Sequence, residues 1–115
     1  MSLENITRGT VLAENVVTLN ASFTKTLELM RSKGFPGGYA LWINPCKTIY
    51  TSGMREAVDI IFIDKDAKVI KVFKSLPPFC IAQSTKEAVS ALELRRNTIE
   101  RTRTRIGDKL RIKLY

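Results

Sequence analysis

Between Val58 and Asp64 the chain reads Val-Asp-Ile-Ile-Phe-Ile-Asp, and no other stretch limits the fold as strongly. The run is β-branched or aromatic almost throughout, which suits a pleated strand. Side chains alternate across a strand, so Val58, Ile60 and Phe62 share one face. Ala57, Asp59, Ile61 and Ile63 share the other. Both faces are apolar, so the strand must be covered on both sides and belongs in the middle of a sheet. Asp59 is the exception. A carboxylate among Ala57, Ile61 and Ile63 is expected to be partly buried and must find donors. Arg55, Thr51 and the amides of the Ser52-Gly53 bend are within plausible reach.

Shorter elements surround that strand. Thr10 to Thr18 reads as a first strand, open to a break at Glu14-Asn15. Asn20 or Ser22 can cap a helix running to about Lys33, because Phe23, Leu27 and Met30 fall on one helical face. Gly34 stands where a left-handed cap ends a helix, and Phe35-Pro36-Gly37-Gly38 follows as a turn. Tyr39 to Asn44 is a short apolar strand stopped at Pro45. Lys47 to Thr51 is β-prone, and Ser52-Gly53 makes a bend.

Asp64-Lys65-Asp66-Ala67 is a hairpin turn into a strand from Lys68 to Lys74. Periodicity leaves the inward face of that strand undecided, since Val69 and Phe73 flank Lys71 while Ile70 and Val72 fall opposite. Ala67 occupies the position where a bulged type I turn wants a left-handed glycine, at a cost of about 1 kcal/mol. Leu76-Pro77-Pro78-Phe79-Cys80 is a rigid, exposed connection. Ala88 to Leu94 alternates as a strand, and Asn97-Thr98-Ile99-Glu100 resembles a capping box opening a helical turn. After the turn at Gly107-Asp108, Leu110, Ile112 and Leu114 are expected to point inward, with Lys109, Arg111 and Lys113 outward. These readings give an α+β, β-rich fold: about seven short strands in a mostly antiparallel sheet or partial barrel, with one N-terminal helix packed on it.

At 115 residues the chain has the length of one domain and can bury a core without staples. No apolar run approaches the roughly 20 residues that span a bilayer, so no membrane partner is implied. The polar start, Met1 to Arg8, carries no secretory signal and favours the cytoplasm; Met1-Ser2-Leu3 is equally open to being a cloning remnant. Cys46 and Cys80 make no disulfide framework, and a single bridge between them is left open.

Asn44-Pro45-Cys46-Lys47-Thr48-Ile49-Tyr50-Thr51-Ser52-Gly53-Met54-Arg55, followed by the Val58–Asp64 strand, resembles domain of unknown function 192, a small prokaryotic family. There a Pro-Cys pair leads to Ile-His-Thr, then Gly-Met-Arg, then an Ile-Asp-Val-x-Phe-Leu-Asp strand and a hairpin. Leu41-Trp42-Ile43, Leu76-Pro77, Leu92-Glu93-Leu94 and Ile106-Gly107-Asp108-Lys109-Leu110 extend the likeness over roughly Phe23 to Ile112. The resemblance implies a compact β-rich single domain and no established activity. The sequence departs from the pattern with Tyr50 at the usual histidine and with Glu56-Ala57 for an aromatic and a proline. Arg96-Asn97 replaces an Ala-Gly pair, and the helix lacks the family's Gly-Leu motif.

The chain has no histidine, which removes Ser-His-Asp and Cys-His catalysis and most zinc sites. Cys46, Tyr50, Met54, Arg55 and Asp59 form the candidate functional cluster. Cys46 lies beside Lys47 and near Arg55, where a thiol can ionise. A copper(I) site of Cys46, Tyr50 and Met54 matches no metal motif, so no metal or cofactor is assigned. Asp59 reads as a structural carboxylate that pins the bend to the strand.

The net charge of +8 is concentrated: +6 falls in the last 21 residues. Arg101, Arg103, Arg105, Lys109, Arg111 and Lys113 are the candidate anion-binding residues. No aromatic residues interleave with them, and outward cations also protect a final strand from edge pairing. Three readings follow. The first is a non-catalytic binding or accessory module using Pro45–Met54 and the Leu76–Cys80 loop. The second is a weak nucleic-acid or polyanion binder, and the third a thiol-dependent enzyme using Cys46. The partner is unspecified, either a protein or a polyanion.

Overall fold

The computed structural model describes residues 1–19, 30 and 32–114. Among these it has ten strands and one short helix: β1 (Ser2–Asn5), β2 (Thr10–Ala13), β3 (Asn15–Thr18), β4 (Tyr39–Ile43), β5 (Thr48–Tyr50), β6 (Val58–Ile63), β7 (Val69–Leu76), β8 (Ile81–Gln83), β9 (Ser90–Arg95), α1 (Thr98–Thr102) and β10 (Leu110–Lys113). Most of the expected N-terminal helix lies outside the described residues; Met30, Ser32 and Lys33 are helical.

The strands form three sheets, not one sheet and not a closed barrel. The largest runs β3-β4-β9-β6-β7; β10-β1-β2 makes a second, and β5-β8 a third. All pairings are antiparallel except β3 with β4.

The five-stranded sheet is the middle layer, because its central strands are apolar on both faces. All six residues of β6 are buried. Ile61 and Ile63 join Leu92, Leu94, Leu3, Leu12, Ile99 and Leu110 in a core against the three-stranded sheet and α1. Val58, Ile60 and Phe62 join Leu41, Ala91, Ile49, Met54 and Ala82 in a second core under the β5-β8 ribbon. Each large side chain so buried contributes about 1.5–3 kcal/mol, which makes the doubly covered strand the main source of cohesion. β7 has no single inward face: Val69 and Val72 pack on the first core, and Ile70 and Phe73 on the second.

Several expectations need correcting. Ser2–Asn5 is no appendage: β1 is the middle strand of its sheet, and Leu3 is fully buried. β8 was not expected, since three residues with a single buried alanine carry little pattern. The first strand does break at Glu14, and its halves enter different sheets. Leu114 points outward, 72% exposed, because the pairing of β10 ends at Lys113.

The capping box does not form. Asn97 sits in the left-handed region at φ 72° and makes no side-chain cap bond. Glu100 pairs instead with Lys74 at 2.8 Å. Ala67 has the left-handed backbone expected of it, at φ 58°.

Candidate functional site

The Pro45–Asp64 passage crosses from the outer ribbon into the middle layer, so its polar side chains end in different places. Cys46 is half-buried against the second core, and its thiol donates to the Thr48 carbonyl at 3.3 Å. Met54 is buried in that core. Arg55 is exposed. Tyr50 is 59% exposed on β5. Asp59 lies on the other face of β6, toward the first core, and is 1% exposed. Thus Cys46 and Met54 share a core, whereas Tyr50 and Arg55 face solvent and Asp59 stands across the sheet.

The partners of Asp59 differ from those expected. Its Oδ1 accepts the Ser75 amide and its Oδ2 the Ile99 amide, each at 2.8 Å. Both donors exist for local reasons. Between Val58–Leu76 and Ile60–Phe73 the register gains one residue on β7, a bulge where Ser75 turns to φ 50°, and a bulge leaves an amide out of the ladder. Ile99 is in the first turn of α1, where amides lack helical partners. One carboxylate therefore ties a bulge to a helix start, and it does not pin the Ser52-Gly53 bend to the strand as expected.

Thr51 does the corresponding work on the outer ribbon. It is fully buried. Its hydroxyl donates to the Pro77 carbonyl and accepts the Cys80 amide, both at 2.8 Å. Its backbone oxygen accepts the Phe79 amide at 3.3 Å. The proline loop is thus held against β5, and Phe79, at φ 59°, is left 82% exposed. Tyr50 and Ile81 are register partners across the β5-β8 ladder, each 59% exposed. Phe79, Tyr50 and Ile81 are large exposed apolar side chains of this ribbon and the loop that leads into it. Tyr50 and Phe79 fall in the two stretches that the sequence offered as a binding surface, Pro45–Met54 and Leu76–Cys80; Ile81 does not, because it could not be placed beside Tyr50 without the pairing of β8.

Glu93 was also missed. It is fully buried in β9, in register with Leu41 and Ile60 and so on the side of the second core. Alternation places Glu93 on the face of Ala91, and that face is covered by the second core, so Ser90 to Leu94 are all buried.

Four of the six candidate anion-binding residues border three separate hollows. Arg101 borders a hollow of about 350 Å3 beside Arg95 and Arg96. Arg103 and Arg105 border another of about 150 Å3 with Lys74. Arg111 borders a third of about 320 Å3 and pairs with Glu4 at 2.7 Å. Lys109 and Lys113 are exposed at the start and end of β10.

The carboxylates near these cations are held ionised. The hydrogen bond from Arg111 holds the Glu4 carboxyl below its usual value, and that from Lys74 does the same for Glu100. Asp108 is buried, which alone would raise its pKa. Its Oδ2 accepts from Asn5 at 3.0 Å, the Arg105 amide at 2.9 Å and Arg8 at 3.1 Å, and together these bring it below 3.8.

Among the described residues, no group of three or more His, Cys, Asp or Glu side chains could hold a metal ion. No helix of these residues is long and apolar enough to cross a membrane.

The family model for domain of unknown function 192, described as an uncharacterized ACR, matches residues 5–112. No curated protein matches the chain. Among solved structures it is similar to a protein of unknown function from Novosphingobium aromaticivorans DSM 12444. That pair has a TM-score of 0.74 and 18% identity over 96% of this chain and 82% of the other. It is also similar to a protein from Sinorhizobium meliloti 1021 described as a candidate transcription regulator. There the TM-score is 0.71 with 18% identity, over 96% of this chain and 89% of the other. At that identity the likeness is one of fold.

Proposed function

We propose, from the premise that the chain belongs to the domain of unknown function 192 family, that it is a single-domain, non-catalytic binding or accessory module that docks a protein partner through Tyr50, Phe79 and Ile81. The observation that carries this is Phe79. A phenylalanine 82% exposed gives the interior almost nothing. Its left-handed backbone costs a side-chain-bearing residue about 1–2 kcal/mol. Glycine or asparagine would suit that position better for folding alone. An exposed aromatic held in a strained loop by a buried threonine is what a contact surface requires, since aromatic side chains anchor interfaces at low entropic cost.

The other readings have less support. The C-terminal cations are spread over separate hollows, which gives a polyanion no single face. Cys46 is half-buried and uses its thiol as a donor to a carbonyl, which is not the setting of an exposed nucleophile. A cytoplasmic setting fits the two free thiols.

The test is native co-purification with the tagged chain, beside a triple variant carrying Tyr50→Ser, Phe79→Asn and Ile81→Thr. The variant should keep the wild-type melting temperature and lose a partner that the wild type retains. A partner held equally by both proteins, or none held by the wild type, overturns the proposal.

A further inference from the structure

We infer that the hollow lined by Arg95, Arg96 and Arg101 binds the phosphate group of a small phosphorylated molecule. Its volume of about 350 Å3 lies in the range of small-molecule sites and exceeds what a bare phosphate would fill.

The local backbone builds it. Consecutive residues on a strand point to opposite faces, which would separate Arg95 from Arg96. Here β9 ends at Arg95, and the chain turns through the left-handed Asn97 into α1. Both arginines then line one hollow, with Arg101 arriving from the helix. The Arg101 guanidinium is steered by the Val11 and Leu12 carbonyls, each 3.5 Å from one of its nitrogens. The opposite wall is Gly37-Gly38. A Cβ at Gly37 would stand 3.2 Å from the Arg95 guanidinium, so the glycine leaves room for that group.

The electrostatics point the same way. Among the described residues no carboxylate lines the hollow. Neither Arg95 nor Arg96 makes an ion pair or side-chain hydrogen bond there. Glu14, whose amide donates to the Gly38 carbonyl, and Glu56, in the adjoining hollow that Arg95 also borders, are the nearby acids. Among the described residues Glu56 forms no ion pair with these arginines. Three cations brought together without counter-charge repel one another until an anion enters. Guanidinium groups match phosphate oxygens in pairs of parallel hydrogen bonds, better than lysines would. A concave site for three arginines favours a compact phosphate ester over an extended nucleic-acid backbone, which would need the cations in a row.

The experiment is calorimetric titration at constant ionic strength with ribose 5-phosphate, inorganic phosphate, ribose and a short oligothymidylate. Ribose 5-phosphate should bind saturably at one site, more tightly than inorganic phosphate, with no binding of ribose. Arg96→Ala should weaken it roughly tenfold and Arg95→Ala with Arg96→Ala further, as lost charged hydrogen bonds do. Arg103→Ala, outside the hollow, should leave it unchanged. Circular dichroism melts establish that each variant is folded, as expected for exposed side chains. Absence of saturable binding, equal weakening by Arg103→Ala, or tighter binding of the oligothymidylate than of the sugar phosphate would overturn the inference. None of these results bears on the Phe79 surface.

Discussion

Removing the Asp59 carboxylate should cost more than any surface change in this protein. The Asp59→Ala variant leaves the Ser75 and Ile99 amides without the oxygens that now accept them at 2.8 Å. A buried donor left unmatched costs about 1–3 kcal/mol. The Ile99 bond is fully buried, whereas that of Ser75 is partly so. Water can reach the second amide more easily, so the sum should be about 3–5 kcal/mol. That is a large share of the roughly 5–15 kcal/mol by which domains are stable. It should lower the melting temperature by on the order of 10–20 °C. Asp59→Asn retains one acceptor oxygen but turns an amino group toward the other N–H, so its loss should be smaller than that of alanine but still clear. Urea denaturation gives the free energies, and amide exchange at Ser75 and Ile99 shows whether the loss arises there. An alanine variant within about 0.5 kcal/mol of wild type, the usual surface effect, would refute the reasoning.

Ala67→Gly should raise the melting temperature by a few degrees, because glycine removes about 1 kcal/mol of left-handed strain and returns part of it as chain entropy; a lower melting temperature would mean the Ala67 side chain is needed for packing. Phe79→Asn alone should leave stability unchanged or raise it by up to about 1 kcal/mol while weakening partner binding; a clear drop in chemical stability would assign Phe79 to the fold. Asp108 gives a pH dependence. Burial raises its pKa, but the Asn5, Arg105 and Arg8 hydrogen bonds outweigh that and lower it, so ionised Asp108 contributes stability above the unfolded carboxyl's pKa and loses the contribution as pH falls through the folded one. Acid melts should therefore show wild type losing more stability than Asp108→Asn from about pH 4 downward; parallel curves for the two proteins would contradict this.

What could be read from the sequence was whatever rests on alternation within one strand. β6 announced itself because both of its faces are apolar, and Ala67 because a hairpin of that length needs a left-handed residue. Pairing between distant segments was not legible. β1 escaped notice because Ser2, Glu4 and Asn5 look like a solvated terminus; only the Thr104 hydroxyl and Asp108 carboxylate, which accept from the Asn5 amide at 3.1 and 3.0 Å, explain why asparagine is buried there. The partners of Asp59 were sought nearby in sequence and came from 16 and 40 residues away. The burial of Glu93 was not legible, because alternation marks two faces without telling which of them is covered. The arginine hollow and the place of Ile81 beside Tyr50 were equally hidden, since each depends on a segment returning to a strand.

A middle layer buried on both faces cannot itself present a binding surface, and both surfaces proposed above lie on the connections at its strand ends. Two of those connections depend on one side chain. Ser75, left-handed in the β7 bulge, leads into the proline loop that carries Phe79. Asn97, left-handed after β9, sets the path that brings Arg96 beside Arg95. Such backbone costs about 1–3 kcal/mol at Ser75 and less at Asn97, since asparagine tolerates it, and it persists where its surroundings enforce it. The Asp59 carboxylate offsets it at both, accepting from Ser75 directly and from Ile99 two residues beyond Asn97. A hydrogen bond to a charged acceptor is worth about 1.5–3 kcal/mol, enough to hold each turn in its left-handed form. Two surfaces on different connections therefore share a single buried anchor, which explains an acidic residue in the most hydrophobic strand of the chain.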